Sequence, residues 1–173
     1  MSSDLSSLLL ASLHPASRKQ AEQSLTALSV QPGFIGALLQ LVLGEGTQDR
    51  SVRLSAGVYL KNVTKLRWEE DLNPIPDSDK VELRKALVPL MLLLSAPSDK
   101  TIRAQVAESI SLIAELDFPE RWPNFIDQLT TSFSPTDTTT NASVLDTARC
   151  IFATSRALVH SDALFSEIMT LLL

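Results

Sequence analysis

The sequence predicts an all-α fold, a HEAT-repeat solenoid wound as a right-handed superhelix of antiparallel helix pairs, and three observations carry this. The 173 residues are 45 % apolar yet include only two Trp, one Tyr and six Phe, so the core material is mostly Leu, Ala, Ile and Val. Such a composition favours packed helices over strands built on aromatic and β-branched residues. Amphipathic segments of period 3.6 follow one another along the chain, with no run of strict alternation. Taken in pairs, the segments start near 4, 33, 78, 121 and 161, so the intervals are about 29, 45, 43 and 40 residues, the range of HEAT and armadillo repeats. Pairs of this size cannot each bury an apolar face alone, and stacking in sequence buries it. A globular bundle of nine helices is the alternative architecture.

The first segment, about 4–13, sets Leu5, Leu8, Leu9 and Leu13 on one stripe. Pro15 is expected to open the second helix, whose stripe is Ala21, Leu25 and Leu28, because proline is pre-organised for a first turn. Gln31-Pro32-Gly33 breaks it, and residues 34–43 follow with apolar side chains around most of the circumference. A helix of that kind is buried on several sides. After the Gly44-Glu45-Gly46 turn, the segment 50–67 gathers Val52, Ala56, Tyr59, Val63 and Leu66 into one buried stripe. The next segment, 78–95, contains Pro89, whose missing N–H predicts a kink. Ser98 is the expected N-cap of a helix over 99–116 that turns Ile102, Val106, Ile110, Ile113 and Leu116 inward. Past the Asp117–Pro123 turn come Phe125, Ile126, Leu129 and Phe133, then Ser134–Asn141, the loosest predicted loop. A helix over 142–159 uses Val144, Ala148, Ile151, Phe152 and Val159, and a last one starts near Ser161. The predicted repeats are therefore about 4–30, 33–68, 78–116 and 121–160, with the first helix of a fifth from 161. The unpaired apolar end at Met169–Leu173 predicts a longer solenoid of which this is the N-terminal piece.

A net charge of −5 argues against nucleic acid as a partner, since phosphate binding needs clustered Lys and Arg. The longest apolar run, Ala86 to Leu94, is about nine residues, against roughly twenty for a bilayer span, so no membrane insertion is expected. No basic n-region precedes the first apolar patch, and the single Cys150 has no internal partner, which together suit a reducing compartment.

No catalytic constellation is present. His14 and His160 lack a Cys or second His at metal-ligand spacing, so no metal and no cofactor is expected, and the reading is not an enzyme. Cys150 has no nearby His in sequence and reads as an inert thiol. Gly44-Glu45-Gly46 lacks the Lys-Ser/Thr of a phosphate loop, and Glu69-Glu70-Asp71 reads as a solvated helix exit. Trp68 and Trp122 are expected to act as apolar wedges between repeats. On the 50–67 helix, Leu54, Lys61 and Lys65 lie opposite the predicted buried stripe, and Ala104, Glu108, Ser111 and Glu115 do so on the 99–116 helix. Aligned in a solenoid, these faces make an inner surface of mixed charge that suits a protein partner.

The same residues carry a family resemblance. Arg18-Lys19-Gln20-Ala21-Glu22 with Leu25, Pro32-Gly33-Phe34, Val52-Arg53-Leu54-Ser55-Ala56, Tyr59-Leu60-Lys61-Asn62 and Trp68 resemble the N-terminal region of the importin-β (karyopherin) superfamily. Ile102-Arg103, Gln105, Ala107-Glu108 and the motif Asp117-Phe118-Pro119-Glu120-Arg121-Trp122-Pro123 continue the resemblance. Val88-Pro89-Leu90-Met91, Ser109–Ile113, Val144–Ala148, Phe152, Arg156 and Ser161–Ile168 resemble the branch of importin-α exporters, the cellular apoptosis susceptibility type. Ala153-Thr154-Ser155 departs from a stretch that tends to be basic in the family, leaving Arg149 and Arg156 to supply part of any positive patch there.

The resemblance implies an exportin that carries importin-α from nucleus to cytoplasm together with Ran·GTP, shuttles through the nuclear pore, and meets nucleoporins as a further class of partner. It implies a Ran-binding N-terminal region over about 17–95, with Lys61, Asn62, Lys65 and Glu108 as Ran contacts; Trp68, Asp117, Pro119, Trp122 and Pro123 are the structural motif. Periodicity alone exposes Lys61, Lys65 and Glu108, whereas Asn62 rests on the resemblance. An importin-β-type import receptor and a non-transport HEAT scaffold are the alternatives.

Overall fold

The computed structural model describes residues 2–44, 49–134 and 136–154. These form eight α-helices in chain order: α1 (Ser2–Ala11), α2 (Arg18–Leu28), α3 (Phe34–Leu43), α4 (Arg50–Arg67), α5 (Asp77–Leu93), α6 (Lys100–Asp117), α7 (Phe125–Thr130) and α8 (Thr138–Thr154). A single 3-10 turn, Pro97–Asp99, leads into α6, and no strand occurs among the described residues. The expected final helix from 161, Val159 and Arg156 lie outside the described residues, as does most of the turn after Gly44.

Helices α3 and α4 span the residues that the apolar period marks out. Gly33 and Gly44 bracket α3 with φ of 85° and 91°, backbone that an L side chain rarely adopts. The Gly44 N–H closes the helix on the carbonyls of Gln40 and Leu41. Asp49 caps α4, its carboxylate accepting from the Ser51 N–H at 2.8 Å.

The helices stack in two layers. In one, α3 lies between α1 and α5, and α5 touches α7; in the other, α4 packs on α6 and α6 on α8. Direction within each layer follows from the polar contacts. Asp79, at the start of α5, accepts from Gly33 N at 2.9 Å and Ile35 N at 3.2 Å, so α3 and α5 begin side by side. Arg50, at the start of α4, reaches Ser98 O and Thr101 Oγ1 at the start of α6, while Trp68 at the end of α4 reaches Asp117 at the end of α6. Helices within a layer are thus parallel, as repeated antiparallel pairs require, and the all-α HEAT-repeat architecture is present.

The buried faces of the helices form one continuous core from Leu5 to Ile151. Stripe predictions hold for Ala21, Leu25, Val52, Ala56, Val63, Ile102, Val106, Ile110 and Ile113, all buried. Several details differ. Pro15 sits in the turn between α1 and α2, and α2 starts only at Arg18; the hydroxyl of Ser17 turns back to Ala11 O instead. Leu13 lies past the end of α1 and is exposed. In α4 the inward residue is Leu60, at 0 % exposure, and Leu66 is 70 % exposed, because the stripe follows α3, α1 and α6 on three sides instead of a single line. Leu116 and Phe133 are likewise exposed. Ser98 caps nothing: the 3-10 turn intervenes and Ser98 offers its carbonyl to Arg50. Helix α5 continues through Pro89 to Leu93.

The predicted loose loop is short and tied. Asn141 Oδ1 accepts from Ser134 N and its amide donates to Ser134 O, both at 2.8 Å, and Asp137 accepts from the Thr140 N–H and hydroxyl. Helix α8 accordingly starts at Thr138, four residues before the expected 142. Asp137 does at this helix end what Asp49 does at α4.

Candidate partner-binding surface

The layer α4–α6–α8 carries the residues proposed for partner contact. Lys61 is held part-buried beside α6, its Nζ 4.0 Å from Glu108 Oε2. The contact joins neighbouring helices of adjacent repeats. Lys65, one turn further on, is exposed, with no ion pair among the described residues, and Asn62 is exposed beside it. Ala104 and Glu115 are exposed on α6. Two residues assigned to this face belong elsewhere. Leu54 is half-buried against the core, and Ser111 is buried, its hydroxyl bonded to Ala107 O and, across the repeat boundary, to Ile151 O at 2.8 Å.

The face continues onto α8 through residues the periodicity did not single out. Arg103 of α6 pairs with Asp146 of α8, and Arg149 donates to the same carboxylate through Nε (3.2 Å) and Nη2 (2.7 Å). The Arg149 hydrogen bond first, then the nearby positive charges, hold the Asp146 carboxyl below its ordinary range, against a desolvation that acts the other way. The spacing of Asp146 and Arg149, three residues apart in a helix, was the available signal. Across the layer, Lys61 of α4 faces Glu108 of α6, and Arg103 of α6 faces Asp146 of α8, so each helix boundary carries a pair of opposite charges.

Behind this face, buried carboxylates join the second repeat to the third. Asp99 takes a bidentate pair of 3.0 Å bonds from Arg53, whose Nε also donates to Val42 O at the end of α3. Asp117, 1 % exposed, receives Trp68 Nε1 at 3.1 Å, Arg121 Nε at 2.8 Å and the Arg84 guanidinium. Its carbonyl accepts the N–H groups of Arg121 and Trp122. Charge-assisted bonds of this kind fix geometry because each buried partner would be costly to leave alone.

Trp68 lies between the second repeat and α5 and α6 of the third. It is buried, with Lys80 and Arg84 of α5 at 5.6 and 5.7 Å from its ring and Asp117 of α6 at its nitrogen. Trp122 is 1 % exposed and meets the Phe125 ring at 4.7 Å in a tilted contact, three residues after the cis-bonded Pro119; Pro123 is exposed and leads into α7. The Asp117–Pro123 motif is thus a packed corner. The acidic run is solvated as expected, except that Glu69 pairs with Arg121 at 3.1 Å. Among the described residues no group of three His, Cys, Asp or Glu is placed to hold a metal, and no helix is long and apolar enough to cross a membrane.

Fold and surface together define a helical-repeat protein whose stacked helices present one layer of mixed charge. Residues 21–92 match the importin-beta N-terminal domain family. Over 95 % of its length the chain is 36 % identical to the importin-alpha re-exporter of Schizosaccharomyces pombe and 37 % identical to that of Saccharomyces cerevisiae. It is 32 % identical over 91 % of its length to Homo sapiens exportin-2. The chain spans about 17 % of the length of these relatives. The solved exportin Cse1 in its cargo-free, cytoplasmic state superposes with a TM-score of 0.80 at 34 % identity, covering 99 % of this chain and 18 % of that one. These relatives bear the names of transport receptors, not of enzymes.

Proposed function

We propose that this chain works within a nuclear export receptor that carries importin-α from nucleus to cytoplasm in a complex with Ran·GTP, and that it supplies part of the Ran surface. The observation that supports this most is likeness over nearly the whole chain to proteins named for re-exporting importin-alpha. In this reading Lys61, Asn62, Lys65 and Glu108 touch Ran, and the ion pair between Lys61 and Glu108 keeps two of them in register across a repeat boundary. The receptor shuttles between nucleus and cytoplasm and passes nucleoporins on the way.

The mechanism is linkage. Ran·GTP and cargo each favour the same curvature of a flexible superhelix, so each raises the affinity of the other by an equal factor. Rotations at many repeat interfaces add up to that change of shape. The buried bonds of Asp79, Asp99 and Asp117 oppose rotation between the second and third repeats, which makes this stretch a fixed platform.

The test uses the full-length receptor. Lys61→Glu with Lys65→Glu weakens Ran·GTP binding while the far-UV circular dichroism stays the same, and an unchanged Ran affinity rejects the face. GTP-dependent gain of importin-α binding supports export. GTP-dependent loss of cargo points to an import receptor, and indifference to nucleotide to a scaffold.

A further inference from the structure

The second and third repeats are tied in both layers by aimed bonds to buried carboxylates. Asp79 joins α5 to the start of α3, Asp99 takes the bidentate Arg53 pair, and Asp117 accepts from Trp68. Bonds to a buried charge have a fixed direction, so rotating one repeat on the other breaks them at a high cost.

The boundary between the third and fourth repeats is built differently. Helix α7 has six residues, against ten in α3 and 17 in α5, so the outer layer narrows here. Gln128 Nε2 donates to the Arg84 carbonyl at 3.0 Å, and the Ser111 hydroxyl reaches Ile151 O at 2.8 Å; both bonds are neutral. Arg103 pairs with Asp146, but that carboxylate is 31 % exposed and shared with Arg149, where water and salt screen it. Apolar packing by Phe125, Ile126, Leu129, Val144 and Ile151 completes the boundary, and apolar burial is not directional. Only the corner is pinned, where the Asp117 carbonyl accepts the N–H groups of Arg121 and Trp122.

Unsatisfied polar atoms gather on the same repeat. Trp122 Nε1, Gln128 Oε1 and Thr147 Oγ1 are buried without a hydrogen-bond partner, and among the described residues Arg67 Nη2 is the one other atom in that state. Trp122 and Thr147 are closed off from water, at 1 % and 0 % exposure. Each such group costs free energy that an arrangement supplying a partner would recover.

We infer that the boundary between the third and fourth repeats is a built-in joint: the fourth repeat pivots at the Asp117–Pro123 corner, on a platform made by the second and third, between the arrangement described here and one in which buried groups of α7 and α8 gain partners. Packed interfaces of this kind switch between discrete arrangements instead of deforming continuously. The purpose of the joint rests on the export reading above: binding of Ran·GTP and importin-α selects the second arrangement, which couples the platform to the repeats beyond it.

The test uses the full-length receptor with pairs of spin labels carried on unnatural residues at exposed positions. Gln40 of α3 with Asp77 of α5 reports the boundary between the second and third repeats, and Gln40 with Asp127 of α7 also spans the next one. On binding of Ran·GTP and importin-α, the Gln40–Asp77 distance is expected to stay the same while the Gln40–Asp127 distance shifts. Ser111→Ala removes a bond that holds the described arrangement, and Thr147→Val keeps the shape of the side chain but removes a hydroxyl that gains from leaving that arrangement. In the free receptor Ser111→Ala therefore moves the Gln40–Asp127 distribution toward the bound one, and Thr147→Val moves it away. Affinity for importin-α at saturating Ran·GTP follows, rising about fivefold in the first and falling about fivefold in the second, the equilibrium equivalent of one neutral hydrogen bond. Asp49→Ala, which weakens the cap of α4, controls for destabilisation alone and leaves distribution and affinity unchanged. Equal shifts of the two distances, or no shift in either, overturn the joint, as do Ser111→Ala and Thr147→Val variants whose distributions match the wild type. If the wild-type receptor shows no Ran·GTP-dependent binding of importin-α, the export reading falls, and opposite responses of the two variants in the free receptor still establish the joint.

Discussion

The indole of Trp68, the first residue past α4, donates its N–H to the carboxylate of Asp117, the last residue of α6, across 3.1 Å. The bond ties the ends of two parallel helices in adjacent repeats, and Arg84 of α5 takes the other carboxylate oxygen. Removing Asp117 leaves the buried indole N–H without an acceptor and the Arg84 guanidinium without its charge partner. Asp117→Ala is therefore expected to cost about 3–5 kcal/mol of stability, the range for breaking a buried pair from one side. Urea unfolding followed by circular dichroism measures it, and a loss under about 1 kcal/mol would mean the corner is held by packing alone.

Asp79 performs a helix cap from another repeat, since its two oxygens accept Gly33 N and Ile35 N at the start of α3. Asp79→Ala is expected to destabilise by about 1–3 kcal/mol, the cost of leaving buried donors unsatisfied. Gly33, at φ 85°, is a second requirement of the same corner, and Gly33→Ala should lose about 1 kcal/mol from backbone strain, although nothing crowds the added Cβ. Amide exchange at Ile35 reads both changes.

Asp49 and Ser98 look alike as sequence caps and differ in the structure. The Asp49 carboxylate bonds Ser51 N, whereas Ser98 contributes only its carbonyl. Asp49→Ala is expected to cost about 1 kcal/mol and Ser98→Ala to stay within about 0.5 kcal/mol. Equal losses in thermal unfolding would contradict the assignment.

Asp146 sets a pH dependence. Its carboxyl titrates below the ordinary value, first because of the Arg149 hydrogen bond, so the folded state holds the proton less firmly than the unfolded chain does. The stabilisation is fully present above the unfolded carboxylate range, near pH 4, and disappears as pH falls through the lower folded value. Asp146→Asn should therefore flatten the acid limb of the stability profile and leave its slope unchanged between about pH 6 and pH 8. The site is partly exposed, so the effect is at most about 1 kcal/mol and shrinks in salt. A proton titration of folded and urea-unfolded protein over the acid range checks the sign.

Much of the fold was legible because helical periodicity is a local property. The apolar stripe bounded by Gly33 and Gly44 delimits α3, and Arg50–Arg67 delimits α4, without reference to any other part of the chain. The spacing of successive segments identified the repeat, and the helical period put Lys61 and Glu108 on the faces turned away from the core, where the structure brings them within 4.0 Å. The sequence by itself thus determined which segments are helical, the order in which they stack and the mixed charge of the face they present.

Only the tertiary structure decided what depends on neighbours that are distant in the chain. Leu60 is inward and Leu66 outward because α4 meets α1, α3 and α6 at once, and a single-helix wheel has no term for that. Ser111 is buried because α8 lies over it, and Asp79, Asp99 and Asp117 are structural because their donors, Gly33, Arg53 and Trp68, lie 46 to 49 residues away. An aspartate in sequence looks solvated, since burying a charge is unfavourable until a partner is supplied, and here each of the three takes at least one donor from the adjoining repeat. The exposure of Leu66 and Leu72 was hidden for the same reason: local apolarity says that a residue would prefer burial, and only stacking tells which residues the chain leaves uncovered.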